Sequence, residues 1–419
     1  MNAPRPSADR PFVVLGVGGG IAAYKACELL RRLTESGHRV RVIPTDAALE
    51  FVGAATFAAL SGQPVHTGVF ADVPEVPHVR IGQQATLVVV APATADLMAR
   101  MAHGRADDLL TATLLTARCP VLLAPAMHTE MWEHPATIAN VALLRSRGVV
   151  VLEPASGRLT GADTGSGRLP EAAEIFGLVT LLQERGDALP RDLEGRRVLV
   201  SAGGTREPLD PVRYLGNRSS GKQGYALARL AAQRGARVTL VAGHTAGLSA
   251  PAAVDVIEVS TADQLRAAMH GHAADADAVV MAAAVADFRP ASVAATKIKK
   301  GTDEPDCLSL TRNADVLAEL VEARRAGRHC RGQVIVGFAA ETGDAHGDVL
   351  YHARAKLIRK GCDLLVVNAV GDGKAFEVDS NDGWLLGSDG TELVLEPGSK
   401  ALLASRVLDA VAQQLSPAH

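Results

Sequence analysis

The sequence predicts an α/β protein of two three-layer domains, each with a mainly parallel sheet. Three observations predict this fold. The chain has 419 residues, more than one typical core holds. Short runs of Val, Ile and Leu alternate with helical stretches, and the alternation starts again in the second half after a polar interruption. Continuous apolar runs of this kind indicate parallel strands that helices cover on both faces.

The predicted strands of the first half are five apolar runs: FVVLG, RVRVIP, TLVVVAPAT, PVLLAPAM and VVVLEP. Between the first two lies AAYKACELLRRLTESGH, which is amphipathic at helical spacing and ends at Gly37. The strands of the second half are RRVLVSAGG, ARVTLVAG, VDVIEVS, DAVVMAAAV, QVIVGFAAE and CDLLVVNAV. The final GWLLGSDGTELVLE predicts a hairpin around SDGT.

A polar stretch, QERGDALPRDLEGRR, carries Pro190 and interrupts the apolar rhythm. We therefore predict two Rossmann-like domains, residues 1–188 and 189–419. Open sheets of this type bind ligands at the carboxyl ends of their strands, so functional residues are expected there.

Composition argues against several classes of protein. The formal charge of −3 disfavours a nucleic-acid scaffold. The five cysteines are odd in number and form no C-x-x-C pair, which favours a reducing compartment over a disulfide framework. The N-terminus lacks an apolar signal core, and no run approaches the ~18 apolar residues of a membrane span. We expect a soluble cytoplasmic protein whose partners are small molecules.

A glycine-rich turn follows the first strand. Gly16, Gly18, Gly19 and Gly20 let the backbone approach a phosphate, and the next helix offers free N–H groups. Ile21 stands where G-x-G-x-x-G requires glycine, which argues against dinucleotide binding. A plain packing turn is the alternative.

Further segments of the first half follow predicted strand ends: APATADLMARMAHGRADDLL, LLAPAMHTEMW and GRLTGADTGSGR. Together with GGIAAYK, they resemble the homo-oligomeric flavin-containing cysteine decarboxylases over about residues 11–180. The resemblance implies that FMN binds here. The implied cofactor-binding residues are Gly18, Gly19, Gly20, Ile21, Ala22, Thr45, Ala93, Thr94 and Met127.

The resemblance also implies a mechanism. The flavin oxidises the thiol-bearing carbon to a thioaldehyde, so that CO2 can leave, and then reduces the product. His78 in EVPHVRIG matches the family's catalytic histidine, which takes or steers a proton. Without the resemblance, a lone histidine would more often be a surface or capping residue.

Three positions depart from the family pattern. His128 replaces the asparagine of the substrate-binding PAMN, and remains a candidate catalytic residue. Gly161 stands where the family has a proton-donating cysteine. Either Asp163 or a bound water supplies that proton, or the reductive half-step is impaired. Gly18 replaces a serine, which should remove one phosphate contact.

In the second half, G-x-x-x-x-G-K runs from Gly216 to Lys222. Gln223 follows where a P-loop needs Ser or Thr, and no apolar strand leads directly into Gly216, so this is not a P-loop. A Gly/Ser connector is the alternative to an anion-binding helix start. The residues that would form that anion site are Ser219, Ser220, Gly221 and Lys222.

The segments SAGGTREPLDPVRYLGNRSSGKQGYALA, AAAVADFRP, KIKKG, TRNADVL, VGFAAET and ARAKLIRKGCDLLVVNAV resemble the phosphopantothenate–cysteine ligases over about residues 195–385. The resemblance implies CTP as co-substrate, Mg2+, and an acyl-cytidylate intermediate. It implies that Asn217 binds the acyl carbonyl region. Lys297 lies in a segment with Gly301 and Ala-rich flanks, which favours a mobile flap over the substrate. The implied CTP-binding residues are Ser219, Ser220, Gly221, Lys222, Ala282, Ala283, Asp287, Lys297, Asn313, Ala314, Asp315, Val316, Phe338, Lys356 and Lys360.

The two resemblances imply consecutive reactions: 4'-phosphopantothenate and cysteine are joined, and the product is decarboxylated to 4'-phosphopantetheine. Two alternatives remain open. The first domain could be a non-catalytic flavoprotein scaffold, or the chain could be a nicotinamide-dependent oxidoreductase. Lys356 and Lys360 are also spaced like a solvated helix face. The resemblance further implies a homo-oligomer, with trimeric decarboxylase domains, dimeric ligase domains and a dodecamer that combines both symmetries.

Overall fold

A computed structural model describes residues 10–68, 76–159, 163–245, 247–299, 307–341, 348–369 and 380–415. The chain divides into two compact units, Met1–Leu189 (unit 1) and Pro190–His419 (unit 2). None of the helices in these ranges combines the length and the apolarity needed to cross a bilayer.

Unit 1 is built around a parallel sheet with the strand order β2-β1-β3-β4-β5. A short antiparallel hairpin, β6–β7, stands apart from this sheet. The strands are β1 (Phe12–Val17), β2 (Arg39–Pro44), β3 (Leu87–Ala93), β4 (Val121–Pro125), β5 (Val150–Val151), β6 (Ala155–Arg158) and β7 (Thr164–Arg168). The helices are α1 (Lys25–Glu35), α2 (Asp46–Leu49), α3 (Ala54–Ser61), α4 (Pro77–Gln84), α5 (Ala95–Ala102), α6 (Leu109–Thr116), α7 (Thr129–Trp132), α8 (Pro135–Ser146) and α9 (Ala172–Glu184), with a 3-10 turn at Ile21–Tyr24.

Helices cover both faces of this sheet because its strands are apolar on both faces. All six residues of β1 are buried. Helix α1 buries Ala26, Leu29, Leu30 and Leu33, the spacing of one helical face, and packs with α3 and α9. Helices α4, α5, α6 and α8 form a second group, which shares one apolar cluster with alternate strand residues such as Val14.

Unit 2 contains an eight-stranded sheet with the order β12-β11-β8-β13-β16-β17-β18-β19, in which the pairs β17–β18 and β18–β19 are antiparallel and the other pairs are parallel. Two further hairpins are β9–β10 and β14–β15. The strands are β8 (Arg197–Ala202), β9 (Arg206–Pro208), β10 (Tyr214–Gly216), β11 (Arg237–Ala242), β12 (Val254–Glu258), β13 (Ala278–Met281), β14 (Phe288–Pro290), β15 (Leu310–Arg312), β16 (Val334–Glu341), β17 (Leu364–Ala369), β18 (Ser380–Gly387) and β19 (Glu392–Ser399). The helices are α10 (Lys222–Gln233), α11 (Ala262–Ala273), α12 (Val316–Arg325), α13 (Val349–Lys360) and α14 (Lys400–Leu415).

The predicted α/β fold with mainly parallel sheets is confirmed. The predicted apolar runs correspond to β1 to β5, β8, β11 to β13, β16 and β17, and the predicted terminal hairpin is β18–β19. The short hairpins β6–β7, β9–β10 and β14–β15 were not predicted. Their strands have three to five residues and are largely exposed, so they carry no apolar run.

A buried arginine fastens the beginning of unit 2 to its last helix. The side chain of Arg234, at the end of α10, is 0% exposed. Its Nε donates to Asp192 at 2.8 Å and its Nη1 donates to Asp409 of α14 at 3.0 Å and to the Ser405 carbonyl at 3.1 Å. A buried guanidinium without these acceptors would be strongly destabilising. Loss of any one member of the cluster would therefore destabilise the others.

We predict that Arg234→Met lowers the free energy of unfolding of unit 2 by about 2–4 kcal/mol, because two carboxylates lose their shared partner. Urea denaturation of the full chain measures the change. Arg237→Met, which removes an exposed arginine of β11, is the matched control and should shift stability by less than about 0.5 kcal/mol. Equal effects of the two changes would contradict the prediction.

Candidate functional site

Unit 1 contains a cavity of about 1140 Å³ at the carboxyl edge of its sheet. The strand order reverses between β1 and β3, which opens a crevice at this edge. The residues that follow β1, β2, β3 and β4 line it. The predicted site residues among them are Gly19, Gly20, Ile21, Ala22, Thr45, Thr94, Met127 and His128.

The glycine turn after β1 is packed too closely for side chains. The Gly18 amide donates to the Pro92 carbonyl at 2.9 Å, and a Cβ on Gly18 would lie 2.7 Å from that oxygen. A Cβ on Gly19 would lie 2.4 Å from the Cβ of Ala47. The turn therefore brings bare backbone to the cavity, as phosphate binding requires.

Two threonines start helices at the same edge. Thr45 is the N-cap of α2, where its Oγ1 accepts the Ala48 amide at 3.2 Å. Thr94 is the N-cap of α5, where its Oγ1 accepts the Leu97 amide at 3.2 Å. The first residues of both helices line the cavity, and the N–H groups at a helix start favour an anion.

The opposite wall joins the end of β4 to the β6–β7 hairpin. The Met127 amide donates to the Gly167 carbonyl at 2.9 Å, and Thr129 Oγ1 donates to the Ser166 carbonyl at 2.7 Å. Gly167 has φ of +134°, and a Cβ there would lie 2.3 Å from the Met127 carbonyl oxygen. These contacts hold Met127 and His128 beside the hairpin.

Four predicted residues of this half do not line the cavity. Gly18 is buried within the turn, and Ala93 is fully buried in β3. His78 lies in α4, outside the cavity, where its carbonyl accepts Thr116 Oγ1 at 2.9 Å. The buried Nδ1 of His78 has no hydrogen-bond partner among the described residues. Gly161 lies outside the described residues; Asp163 is exposed and does not line the cavity.

Charged residues that the sequence reading missed also line this cavity. Arg100 of α5 donates to Asp96 at 3.0 Å and to Asp107 and Asp108 at 2.8 Å each. Burial alone would lower the pKa of Arg100, but hydrogen bonds from its guanidinium to Asp108 and Asp107 outweigh burial and raise it. Arg100 and these aspartates lie inside the motif APATADLMARMAHGRADDLL, so their positions were a usable signal, although their contacts with one another were not. Other missed cationic lining residues are Lys25, Arg158 and Arg168.

Unit 2 contains a second cavity, of about 880 Å³, at the carboxyl edge of its own sheet between β8, β13 and β16. The strand order reverses between β8 and β13, as it does in unit 1. The predicted residues that line it are Asn217, Ser219, Ser220, Gly221, Lys222, Ala282, Ala283, Asp287, Asn313, Ala314, Asp315, Val316, Phe338, Lys356 and Lys360.

The start of α10 forms one wall of this cavity. Gly221 is the N-cap with φ of +78°, and a Cβ there would lie 2.6 Å from the Thr245 side chain, so glycine is required. Lys222 follows at the first helical position. From the opposite wall, α13 contributes Lys356 and Lys360, of which Lys360 forms an ion pair with Asp315. The cavity therefore collects positive charge around a helix N-terminus.

The loop after β13 is held by one hydroxyl group of β8 and one of the loop that follows β8. Ser201 Oγ accepts the Ala283 amide at 3.1 Å, and Thr205 Oγ1 accepts the Ala286 amide at 2.9 Å. The same loop positions two predicted residues through its carbonyls. Asn217 Nδ2 donates to the Ala284 carbonyl at 3.0 Å, and Asn313 Nδ2 donates to the Ala286 carbonyl at 2.8 Å.

Lys297 does not line this cavity. Its side chain is exposed, in a segment without helix or strand that precedes residues 300–306, which lie outside the described residues. The neighbouring Ile298 is fixed, because its amide donates to Asp210 at 3.1 Å and its carbonyl accepts Arg213 Nη2 at 2.9 Å.

Lining residues that the sequence reading missed include Arg218, Arg312, Asn368 and Lys400. Arg218 lies inside a recognised motif, so its position was a usable signal. Lys400, the first residue of α14, had no such signal in the sequence. Its position at the cavity depends on a distant contact, the hydrogen bond from Gln223 Nε2 to the Lys400 carbonyl at 3.2 Å. Within the described ranges, no three His, Cys, Asp or Glu side chains are placed to hold a metal ion.

Two family models match the chain, one in each half. The model described as "Flavoprotein" matches residues 2–182. The model described as "DNA/pantothenate metabolism flavoprotein C-terminal domain" matches residues 193–415.

Relatives also match along nearly the whole chain. The chain is 73% identical over 399 residues to the "Coenzyme A biosynthesis bifunctional protein CoaBC" of Mycobacterium tuberculosis, which covers 95% of this chain and 96% of the relative. It is 40% identical over 403 residues to the protein of the same name from Bacillus subtilis, covering 96% of each. A crystal structure of the C-terminal domain of a protein of this name is 34% identical with a TM-score of 0.44, covering 54% of this chain and 98% of that domain. The chain therefore belongs to the family of bifunctional coenzyme A biosynthesis proteins.

Proposed function

We propose that the chain catalyses two consecutive reactions. Unit 2 joins cysteine to 4'-phosphopantothenate with CTP, and unit 1 decarboxylates the product to 4'-phosphopantetheine with FMN. The observation that carries the proposal is the pair of separate cavities, each at the carboxyl edge of its own sheet and each lined by most of the residues that the resemblance implies. Membership of a bifunctional family supports it.

In unit 1, bare backbone at Gly19 and Gly20 and the helix starts at Thr45 and Thr94 would hold the FMN phosphate. The volume of the cavity suits a cofactor of this size together with a substrate. When bound, FMN supplies the hydride acceptor and donor that the decarboxylation needs. Met127 and His128, held by the β6–β7 hairpin, would contact the substrate.

We propose that His78 acts in the cavity of a second copy of the chain. In its own chain it lies outside the cavity, and its buried Nδ1 has no partner in the described ranges. A buried ring nitrogen without a partner is disfavoured, so an additional group at this surface would complete it. A homo-oligomer of unit 1, as the resemblance implies, would supply that group and explain why one chain leaves the set of predicted residues incomplete.

In unit 2, the carboxylate of 4'-phosphopantothenate would attack the α-phosphorus of CTP, and pyrophosphate would leave. The amine of cysteine would then attack the acyl-cytidylate, releasing CMP and forming the amide. Lys222 and the N-terminus of α10 would neutralise the triphosphate, together with Lys356 and Lys360. Mg2+ would arrive bound to the nucleotide phosphates, because Mg2+ commonly uses substrate oxygens and few protein ligands.

Gly19→Ala should weaken FMN binding by about tenfold or more, because the new Cβ would have to displace the Ala47 backbone, 2.9 Å away. Flavin absorbance of the purified chain and titration of the stripped protein measure the effect. Gly53→Ala is the control, since no heavy atom lies within 4 Å of its added Cβ. Full flavin retention by Gly19→Ala would argue against the proposed cradle.

His78→Asn should slow CO2 release by about 10²–10⁴-fold, the range for loss of a general acid–base group, and leave CTP-dependent amide formation unchanged. Lys297→Gln should do the reverse. Both half-reactions are assayed on the same preparations, so each variant serves as the folding control for the other. If one change disabled both activities in a folded chain, the division of labour would be wrong.

Single-turnover decarboxylation separates an active unit 1 from a flavoprotein scaffold. The wild-type chain should release about one CO2 per bound flavin. If Asp163 donates the proton that the family takes from cysteine, Asp163→Asn should leave CO2 release intact and accumulate a product two hydrogens lighter, detected by mass spectrometry. Complete reduction by Asp163→Asn would exclude Asp163 and leave bound water as the donor. Absence of CO2 from the wild type would favour the scaffold.

A further inference from the structure

Asp210 is a buried carboxylate of unit 2 that lies outside both cavities. It occupies the turn of the β9–β10 hairpin, within the segment EPLDPVRYLGN. Its side chain is 0% exposed. Burial of a carboxylate costs free energy that hydrogen-bond donors must offset. The donors to Asp210 therefore show which segments it holds in place.

The first set of donors belongs to the hairpin itself. Asp210 Oδ1 accepts the amides of Val212 at 2.8 Å and Arg213 at 2.7 Å. Asp210 Oδ2 accepts the Arg213 guanidinium at 3.0 Å from Nε and 2.8 Å from Nη2. The turn is thereby closed onto the carboxylate. Strand β10 runs from Tyr214 to Gly216, and Asn217 follows it directly. The turn therefore fixes the position of Asn217.

The second set of contacts reaches the segment that carries Lys297. Asp210 Oδ2 accepts the Ile298 amide at 3.1 Å, and Arg213 Nη2 donates to the Ile298 carbonyl at 2.9 Å. Earlier in the segment, the Ala294 amide donates to the Leu209 carbonyl at 3.0 Å. The residue next to Lys297 is therefore held at both its N–H and its C=O by the Asp210–Arg213 pair.

The carboxylate must be charged to make this arrangement. Burial alone would raise the pKa of Asp210, but hydrogen bonds from the Val212 amide, the Arg213 guanidinium and amide, and the Ile298 amide outweigh it and hold the pKa well below its usual range. All of these groups donate, and an amide side chain in the same place would direct its own N–H groups at some of them.

We propose that Asp210 is a positioning residue of the ligase reaction, which fixes the segment carrying Lys297 relative to the hairpin that leads to Asn217. The inference rests on the proposed function of unit 2. Asp210 contacts neither cavity, so it acts only through these two segments. The residues of α10 and α13 that would bind the nucleotide are not among the hydrogen-bond partners of Asp210.

The test compares Asp210→Asn with the wild type in the full chain. The ligase kcat should fall about 10²-fold, while the Kd for CTP from calorimetry changes less than about threefold, because positioning is lost and nucleotide binding is kept. CO2 release from added phosphopantothenoylcysteine should be unchanged. Hydrogen exchange at Ile298 and Val212 should accelerate at least tenfold.

Glu207→Gln is the matched control. Glu207 is a buried carboxylate of the same hairpin, but its Oε1 accepts the Ala262 amide of α11 at 2.9 Å rather than the segment with Lys297. It should retain ligase kcat within about threefold. Arg213→Met is a second variant in case Asp210→Asn does not fold: it removes the guanidinium that donates to Asp210 and to the Ile298 carbonyl, its side chain is half-exposed, and it should reproduce the loss of kcat.

Unchanged ligase kcat in folded Asp210→Asn would overturn the inference, and so would a loss of activity that comes from a weakened Kd for CTP with kcat retained. An equal loss in Glu207→Gln would do so as well, because it would indicate general damage to the hairpin. If the wild-type chain failed to consume CTP with phosphopantothenate and cysteine, the proposed function would fail instead. The hydrogen-exchange result at Ile298 would still report whether Asp210 holds the segment.

Discussion

Both cavities depend on one property of parallel sheets, which is that all strands end at the same edge. Where the strand order reverses, the chain leaves neighbouring strands in opposite directions and a crevice opens. Helices that start at this edge leave N–H groups unpaired. In unit 1 such helix starts are capped by Gly20, Thr45 and Thr94, and in unit 2 the helix start is capped by Gly221. Backbone groups at this edge can therefore bind an anion, and side chains remain available to determine the chemistry.

The sheets and most cavity-lining residues could be predicted because both signals are local. A strand buried on two faces is a continuous apolar run, and a motif that follows the run lies at the edge of the sheet. The three short hairpins have neither signal. Glycine, proline and charged residues dominate them, and what holds them is contact with distant segments, as when Gly167 accepts the Met127 amide. Sequence spacing does not contain that information.

Motif order along the chain did not predict the location of two side chains. His78 and Lys297 stand in the expected motifs, yet neither lines the cavity to which its motif points. Conversely, Arg100 and Asp210 were overlooked because each is defined by several partners at once. The local part of the Asp210 arrangement, an aspartate that accepts amides two and three residues later, is a known turn signal. Its bond to Ile298, 88 residues away, could come only from the fold.

The ion pairs of Arg234 have a mechanical consequence. Asp192 lies two residues after the start of unit 2, and Asp409 lies in its final helix, so one guanidinium fastens both ends of the unit together. Arg196 Nη2 adds a bond to the Leu415 carbonyl at 2.9 Å. A pull on the polypeptide ahead of residue 190 is therefore borne by this junction before it reaches β8. Separating these two ends of unit 2 would require breaking the ion pairs of Arg234 first.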